Sequence, residues 1–237
     1  MKILGIDTST ATGGAALLVD GFVVSECVLH VGAAHSERLL PTIQRVLSDA
    51  DVQGTELDAV AVTVGPGSFT GLRIGVTTAK ALAYGWHKPV VAVNTLEALA
   101  WQVAGLEALV VSALDARRGT VYAAVYRVEA GADSFPIAVH PPDNLPMREL
   151  LAELADSDER VVFVGDGPVA FSEAIEEALG KRWLRLPSVV ESLRPASVAS
   201  LGGMYCECGE SLNAFDLLPV YLRKAEAEMK WERAHRQ

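Results

Sequence analysis

Lys2-Ile3-Leu4-Gly5-Ile6-Asp7-Thr8 reads as a β-strand ending on an acid and a hydroxyl, and two more strand-like runs follow it, Gly14 to Val19 and Phe22 to Leu29. The turns between them, at Thr12-Gly13-Gly14 and Asp20-Gly21, are short, and short turns join neighbours antiparallel, so the chain opens as a three-strand meander. The period then changes. From Ser36 to Asp49, Leu39, Leu40, Ile43, Val46 and Leu47 recur at helical spacing, with Ser36 placed to cap and Pro41 placed to kink. A buried strand over Leu57 to Val64, a helix from about Thr70 to Tyr84, a strand over Pro89 to Val93 and a helix from about Thr95 to Ala104 complete the order βββαβαβα.

That order returns in the second half. Leu109 to Leu114, Thr120 to Val128 across the turn at Arg117-Arg118-Gly119, and Pro136 to His140 read as strands. Arg148 to Ala155, Val169 to Leu179 and Ser197 to Cys208 read as helices, with strands at Arg160 to Gly165 and Trp183 to Leu186 between them. A duplicated βββαβα unit implies an α/β fold of two similar halves, each a mixed sheet covered by helices. The seam falls near Gly105 and divides residues 1–105 from 106–211. Residues 212–237 then add an apolar clip, Leu217-Leu218-Pro219-Val220-Tyr221-Leu222-Arg223, and a charged end from Glu226 to Gln237 that reads as a frayed helix.

Between the fourth strand and its helix lies Gly65-Pro66-Gly67-Ser68-Phe69-Thr70-Gly71-Leu72-Arg73-Ile74-Gly75. Counting in fours from Gly71 gives Gly75, Ala79 and Ala83, which stand one above another on one helical face, bordered by Leu72 and Val76. So bare a stripe either admits a second helix at the short end of the usual interaxial distance of about 8 to 10 Å or lets this helix press onto its own sheet. Mid-helix glycine costs roughly 1 kcal/mol against alanine, so Gly75 has a packing reason under both readings. Ser68 or Thr70 is the natural cap. These glycines do not make a phosphate loop. The Walker pattern needs Gly-Lys-Ser/Thr where Thr70 or Leu72 stands, and the dinucleotide fingerprint needs a third glycine at Thr70.

Half of the 237 residues are hydrophobic and 21% are charged, a balance that excludes general disorder. Gln102 and Glu107 interrupt the longest apolar run, well short of the roughly 20 residues that span a bilayer. The apolar stretch before Asp7 is too short for a signal peptide, so a cytoplasmic protein with no membrane contact is expected. A net charge of −10 argues against tight, independent binding to nucleic acid. Arg117-Arg118, Arg223-Lys224 and Lys230, Arg233 and Arg236 remain as local RNA contacts or as solvated faces. Cys27, Cys206 and Cys208 make no Cys-x-x-Cys pair and read as small half-buried residues. No two of His30, His35, His87, His140 and His235 stand at i, i+4, so no metal pair is visible. The adjacent residues His35-Ser36-Glu37 point in different directions on a helix and read as its start rather than as a triad.

Two similar halves with acidic turns resemble the actin, Hsp70 and sugar-kinase (ASKHA) superfamily, in which ATP lies between the halves. The turns that would cradle phosphate read Asp7-Thr8-Ser9-Thr10 and Asp115-Ala116-Arg117-Arg118-Gly119, and Arg117 and Arg118 put side chains where bare backbone would meet the anion. Gly165-Asp166-Gly167 resembles the superfamily's adenosine-side turn, or is an ordinary strand-to-helix turn.

A closer resemblance rests on Ile3-Leu4-Gly5-Ile6-Asp7-Thr8-Ser9, on His35-Ser36-Glu37-x-Leu39-Leu40-Pro41 and on the Gly65 to Gly75 segment. Thr95-Leu96-Glu97-Ala98-Leu99-Ala100 and Asp115-Ala116-Arg117-Arg118-Gly119-x-Val121-Tyr122-Ala123-Ala124 add to it. Together these are similar to the TsaB family, also called YeaZ; the match is dense in the first half and thins between Glu129 and Arg160. The resemblance implies an actin-like fold and a role in bacterial synthesis of threonylcarbamoyladenosine beside the anticodon of tRNAs reading codons that begin with A. It implies a non-catalytic subunit that dimerises with a TsaD-type catalytic paralogue and works with a TsaE-type ATPase subunit. On this reading tRNA is met only through the complex, no cofactor belongs to the isolated chain, and ATP or ADP is left to the assembly. Where that paralogue has two metal histidines, this chain aligns Thr95 and Leu99. The family's contact surface, a helix pair in the first half, assigns Leu39, Ile43, Val46, Gly71, Leu72, Gly75, Val76 and Ala79 to dimerisation, with a homodimer using the same patch. Gly75→Arg is then expected to abolish assembly and leave the monomer folded. An ATP-dependent small-molecule kinase, with Asp7 and Asp115 on magnesium, and a glycoprotease-like peptidase are the other readings.

Overall fold

Residues 1–30, 35–128 and 135–223 are described by the computed structural model of the chain. The first half places β1 (Lys2–Asp7), β2 (Thr12–Val19), β3 (Phe22–His30), α1 (His35–Asp49), β4 (Ala59–Gly65), α2 (Phe69–Trp86), β5 (Val90–Asn94) and α3 (Thr95–Trp101) in that order. Its sheet runs β3-β2-β1-β4-β5, antiparallel from β3 to β1 and parallel from β1 to β5. The second half gives β6 (Leu109–Asp115), β7 (Thr120–Arg127), β8 (Ile137–Pro146), α4 (Met147–Ala155), β9 (Val161–Val164), α5 (Ser172–Leu179), β10 (Trp183–Leu184) and α6 (Pro195–Glu207). Its sheet, β8-β7-β6-β9-β10, has the same order and directions. This is the duplicated βββαβα arrangement that the sequence implies, two mixed sheets covered by helices.

Several boundaries move for local reasons. Helix α1 opens at His35 and runs through Pro41 as one element. Ser68 caps α2, its Oγ accepting the Gly71 N–H at 3.2 Å, and Thr70 lies inside the helix. Strand β8 continues through Pro141 and Pro142 because it is the sheet edge, where a residue without an N–H is tolerated. Residues 167–171 form a 3-10 turn before α5 rather than its first turn. The charged end from Glu226, with Lys224, Lys230, Arg233 and Arg236, lies outside the described residues.

Three apolar cores hold the sheets and helices together. Leu4, Ile6, Leu17, Val60 and Val62 pack beneath α1 and α2, while Leu109, Val111, Ala113, Val161 and Phe163 pack beneath α4 and α5. The third core fills the space between the sheets and is built by α3 and α6. These helices trade places. Helix α6, from the second half of the sequence, packs on β1, β2 and β4, whereas α3 packs on β6 and β7. The division near Gly105 therefore holds for the sheets and not for the helices. Small residues make the exchange possible: a Cβ on Gly5 would strike Ala199 and the Pro195 carbonyl, and one on Gly202 would strike Ala61. Polar pairs stitch the two helices together, with Tyr205 Oη donating to Glu97 Oε1 at 2.6 Å and Trp101 Nε1 to Ser200 Oγ at 3.0 Å. Burial pushes the Glu97 carboxyl above its ordinary pKa, against the pull of the Tyr205 bond. Cys206 is half-buried in α6 and Cys27 in β3, while Cys208 is exposed at the helix end.

Candidate interaction surface

The eight residues assigned to dimerisation lie together, but inside the chain. Leu39, Ile43 and Val46 of α1 and Leu72, Val76 and Ala79 of α2 are no more than 4% exposed and face the first sheet. Gly71 and Gly75 are equally covered, and their bareness has an intramolecular cause. A Cβ at Gly71 would overlap the Thr8 carbonyl oxygen, and one at Gly75 would overlap the Thr8 hydroxyl. Thr8 Oγ1 in turn donates to the Gly71 carbonyl at 2.7 Å. The stripe receives the turn after β1, so no partner helix can lie along it without unpacking that turn. Sequence spacing could not separate the two readings, because a helix buries its core stripe and its docking stripe with one period.

The outward edge of α2 has different chemistry. Thr70, Arg73, Thr77, Ala81 and Tyr84 are exposed along it, with Ile74, Thr78 and Leu82 half-buried beside them. The clip lies antiparallel to this edge. At the C-terminal end of α2, Phe215 meets Tyr84 edge-on with ring centroids 5.3 Å apart. Lys80 Nζ donates to the Phe215 and Leu217 carbonyls at 3.1 and 3.0 Å. At the N-terminal end, Tyr221 stacks on Phe69 at 4.7 Å, and Arg73 Cζ lies over the Phe69 ring, 4.0 Å from its centroid. Tyr84, Phe215 and Leu218 stand 62%, 67% and 68% exposed, and Val220 and Tyr221 add further open apolar area. Apolar side chains strung along one ledge in this way make it a candidate interaction surface. The signal was legible as an apolar run outside both repeats, Leu217 to Leu222; its placement on α2 was not.

The ends of the two halves that face each other are unlike. In the first, Asp7 is fully buried. Its Oδ1 accepts from Ser9 N, Ser9 Oγ and Thr63 Oγ1 at 2.9, 2.7 and 2.8 Å, and its Oδ2 has no hydrogen-bond partner among the described residues. Burial raises the Asp7 pKa, and the Ser9 and Thr63 bonds oppose the rise. The turn beyond it is sealed: Ser68 N donates to the Ser9 carbonyl at 2.6 Å, and a Cβ on Gly67 would overlap that same oxygen. His35 is 5% exposed and sits with Nε2 2.8 Å from the Thr10 carbonyl, while Ser36 and Glu37 point to solvent.

In the second half, Arg117 and Arg118 both hold left-handed backbone, with φ of 66° and 57°, ahead of Gly119. Asp115 N donates to Asp166 Oδ1 at 3.0 Å, and Arg117 N to Asp115 Oδ1 at 2.7 Å. Burial, with the neighbouring Asp115 charge adding to it, raises the Asp166 pKa. Gly165 and Gly167 cross over the Ala113 carbonyl at the end of β6. Thr95 and Leu99 are fully buried in the central core, and no group of three His, Cys, Asp or Glu among the described residues could hold a metal ion. Among those residues no helix is long and apolar enough to cross a membrane.

Comparison with known proteins gives a consistent picture. The family model for TsaD, described as tRNA N6-adenosine threonylcarbamoyltransferase, matches residues 30–231. The tRNA threonylcarbamoyladenosine biosynthesis protein TsaB of Bacillus subtilis is 37% identical over 231 residues, covering 98% of both chains. Its namesake in Haemophilus influenzae is 30% identical over 245 residues, covering 98% of this chain and 97% of the relative. A solved structure from Pseudomonas aeruginosa, of an uncharacterized protein with similarity to peptidase YeaZ, superposes with a TM-score of 0.76 at 30% identity, covering 94% of this chain and 99% of that one.

Proposed function

The chain belongs to the TsaB (YeaZ) branch of the TsaD family, proteins of tRNA threonylcarbamoyladenosine biosynthesis, and from that premise we propose that it serves there as a non-catalytic partner of a TsaD-type subunit. The observation that supports this most directly is the apolar ledge formed by the outward edge of α2 and the clip, where Tyr84, Phe215 and Leu218 are mostly exposed. Core-sized side chains left in water along a helix gain free energy when a second apolar surface covers them, by about 25 cal/mol per Å² removed from water. The partner surface is accordingly the outer edge of α2 with the clip, not the buried stripe. A second copy of the chain would use the same ledge, so self-pairing and pairing with the catalytic subunit compete.

The sealing of the first turn by Gly67 and Ser68 leaves little room for phosphate in this chain, which supports leaving ATP or ADP to the assembled complex and its TsaE-type ATPase subunit. With a net charge of −10, the chain reaches tRNA through the complex, in the cytoplasm, rather than by itself. The test is threonylcarbamoylation of tRNA by the purified catalytic paralogue and ATPase subunit, with and without this chain. Activity that appears only in the complete mixture supports the partner role. Activity of this chain alone, or indifference to its presence, overturns it.

A further inference from the structure

After running along α2, the segment from Leu217 to Arg223 crosses from one half of the molecule to the other. Val220 N donates to the Val64 carbonyl at 2.7 Å, and Gly65, at φ 130°, has its would-be Cβ on the Val220 carbonyl, so the segment is seated over the end of β4. Tyr221 is held twice at the start of α2: its ring stacks on Phe69, and its hydroxyl accepts from Arg73 Nε at 3.1 Å. Two residues later Arg223 Nη1 donates to the Ala116 carbonyl at 3.1 Å, in the turn between β6 and β7 of the second half. That turn is the one whose Arg117 and Arg118 hold left-handed backbone, a conformation that side-chain-bearing residues keep only when the surroundings impose it. Ala116 N to the Thr120 carbonyl and Thr120 N to the Arg117 carbonyl, both at 3.1 Å, close it from within, Thr120 Oγ1 and Asp115 Oδ1 add one bond each, and Met147 N donates to the Gly119 carbonyl at 3.4 Å.

We propose that residues 217–223 are a strap that couples the outer end of α2 to the β6–β7 turn, so that a change in how Tyr221 sits on Phe69 alters the set of a turn in the other half. The strap shares its footing with the ledge: Leu218 and Val220 are exposed between the Lys80 anchor and the Tyr221 anchor. Anything seated on the ledge therefore bears on the strap, a consequence that rests on the partner reading, whereas the coupling itself is a property of the chain alone.

Amide exchange followed by NMR on the full chain tests it without a partner. The reporters are the Ala116 and Thr120 N–H groups, which close the turn, with the β1 amides as a reference. Arg223→Ala cuts the strap at its far end, and Phe69→Ala loosens it at its near end, in the other half of the molecule. Each is expected to raise reporter exchange about tenfold with the β1 amides unchanged, since a locally held turn opens independently of the core. The double variant is expected to go no further than Arg223→Ala, because the two residues act in series. If Phe69→Ala loosens β1 as well, Tyr221→Phe, which removes only the hydroxyl that receives Arg73, makes the same comparison. Reporter amides that respond to Arg223→Ala but to neither change at the α2 end reduce the contacts to local ones and overturn the proposal. Amides that respond to none of the three overturn it too.

Discussion

Each face of α2 carries some small side chains, and they have opposite consequences. Toward the sheet, Gly71, Gly75 and Ala79 are small because the Thr8 turn and the strands of the first sheet leave no more room. Toward solvent, Thr77 and Ala81 are small and exposed, and the apolar bulk beside them comes from Tyr84 of the helix itself and from Tyr221, Leu218 and Phe215 outside it. A run of small residues thus has no single meaning: on one face it records a contact already made within the chain, and on the other it lies beside apolar side chains that stay largely exposed among the described residues. The sharpest way to break this contrast is Gly75→Arg. A guanidinium placed on the Thr8 hydroxyl has no exit, so the inner-face reading expects a loss of more than about 4 kcal/mol, visible in denaturant melts as a largely unfolded monomer. A folded Gly75→Arg monomer that merely fails to assemble would restore the stripe to the interface.

The outer face should answer in the opposite manner. Leu218→Asp with Tyr84→Ala removes exposed apolar area and, within the monomer, the edge contact of Tyr84 with Phe215, so monomer stability should stay within about 1 kcal/mol of wild type. Affinity for the catalytic paralogue, measured by calorimetry or surface-immobilised binding, should fall by about 2 kcal/mol or more, roughly thirtyfold, as for an interface anchor. Unchanged binding would move the partner surface off this ledge.

This pairing of outcomes also marks what could be read from the sequence. The strand order was legible because period-2 runs and short turns occur twice in the same succession, and neither depends on distant residues. Leu39, Ile43, Val46, Leu72 and Val76 are buried within the chain, yet they satisfy the helical period equally well as core or as docking face, and for the glycine stripe beside them it is Thr8, more than sixty residues away from Gly71, that fills the space. The helix exchange was hidden for a related reason. Gly5 and Gly202 each look like an ordinary glycine, and only their contacts with α6 and with Ala61 show that α6 belongs on the first sheet. The clip was visible as an apolar run, but nothing in its composition says that Lys80 will hold it along α2.

Asp7 sharpens the inner side of the comparison, because it lies one residue before the Thr8 that fills the stripe. Burial raises its folded-state pKa, so the protonated form is the one folding favours. The stability this contributes is complete below the unfolded-state pKa and is lost as pH rises through the folded-state value. Asp7→Asn keeps an acceptor for Ser9 and Thr63 and removes the charge. The wild type should therefore lose stability relative to Asp7→Asn as pH is raised from about 4 toward neutrality, where an ordinary exposed carboxylate with pKa near 3.9 would give no slope. Parallel stability curves for the two proteins would mean that the first turn is held by its hydrogen bonds alone.

Lys80 tests the seam between the two faces, since its stem leaves the half-buried flank of α2 and its ammonium holds the clip by two carbonyls. Lys80→Met keeps most of the apolar stem and deletes the two bonds, so it separates the anchor from the packing. The loss should be modest, about 1 kcal/mol, because both carbonyls lie near the surface and can turn to water instead. What distinguishes an anchor from a passive surface lysine is where the change is felt. Exchange should quicken at Leu217 and Phe215 and stay put within α2, and affinity for the catalytic paralogue should fall only by the small cost of reordering the clip on binding. Equal protection along the clip in Lys80→Met would show that the Tyr84 and Tyr221 ring contacts hold it unaided, and the ledge would then depend on its aromatic ends rather than on its middle.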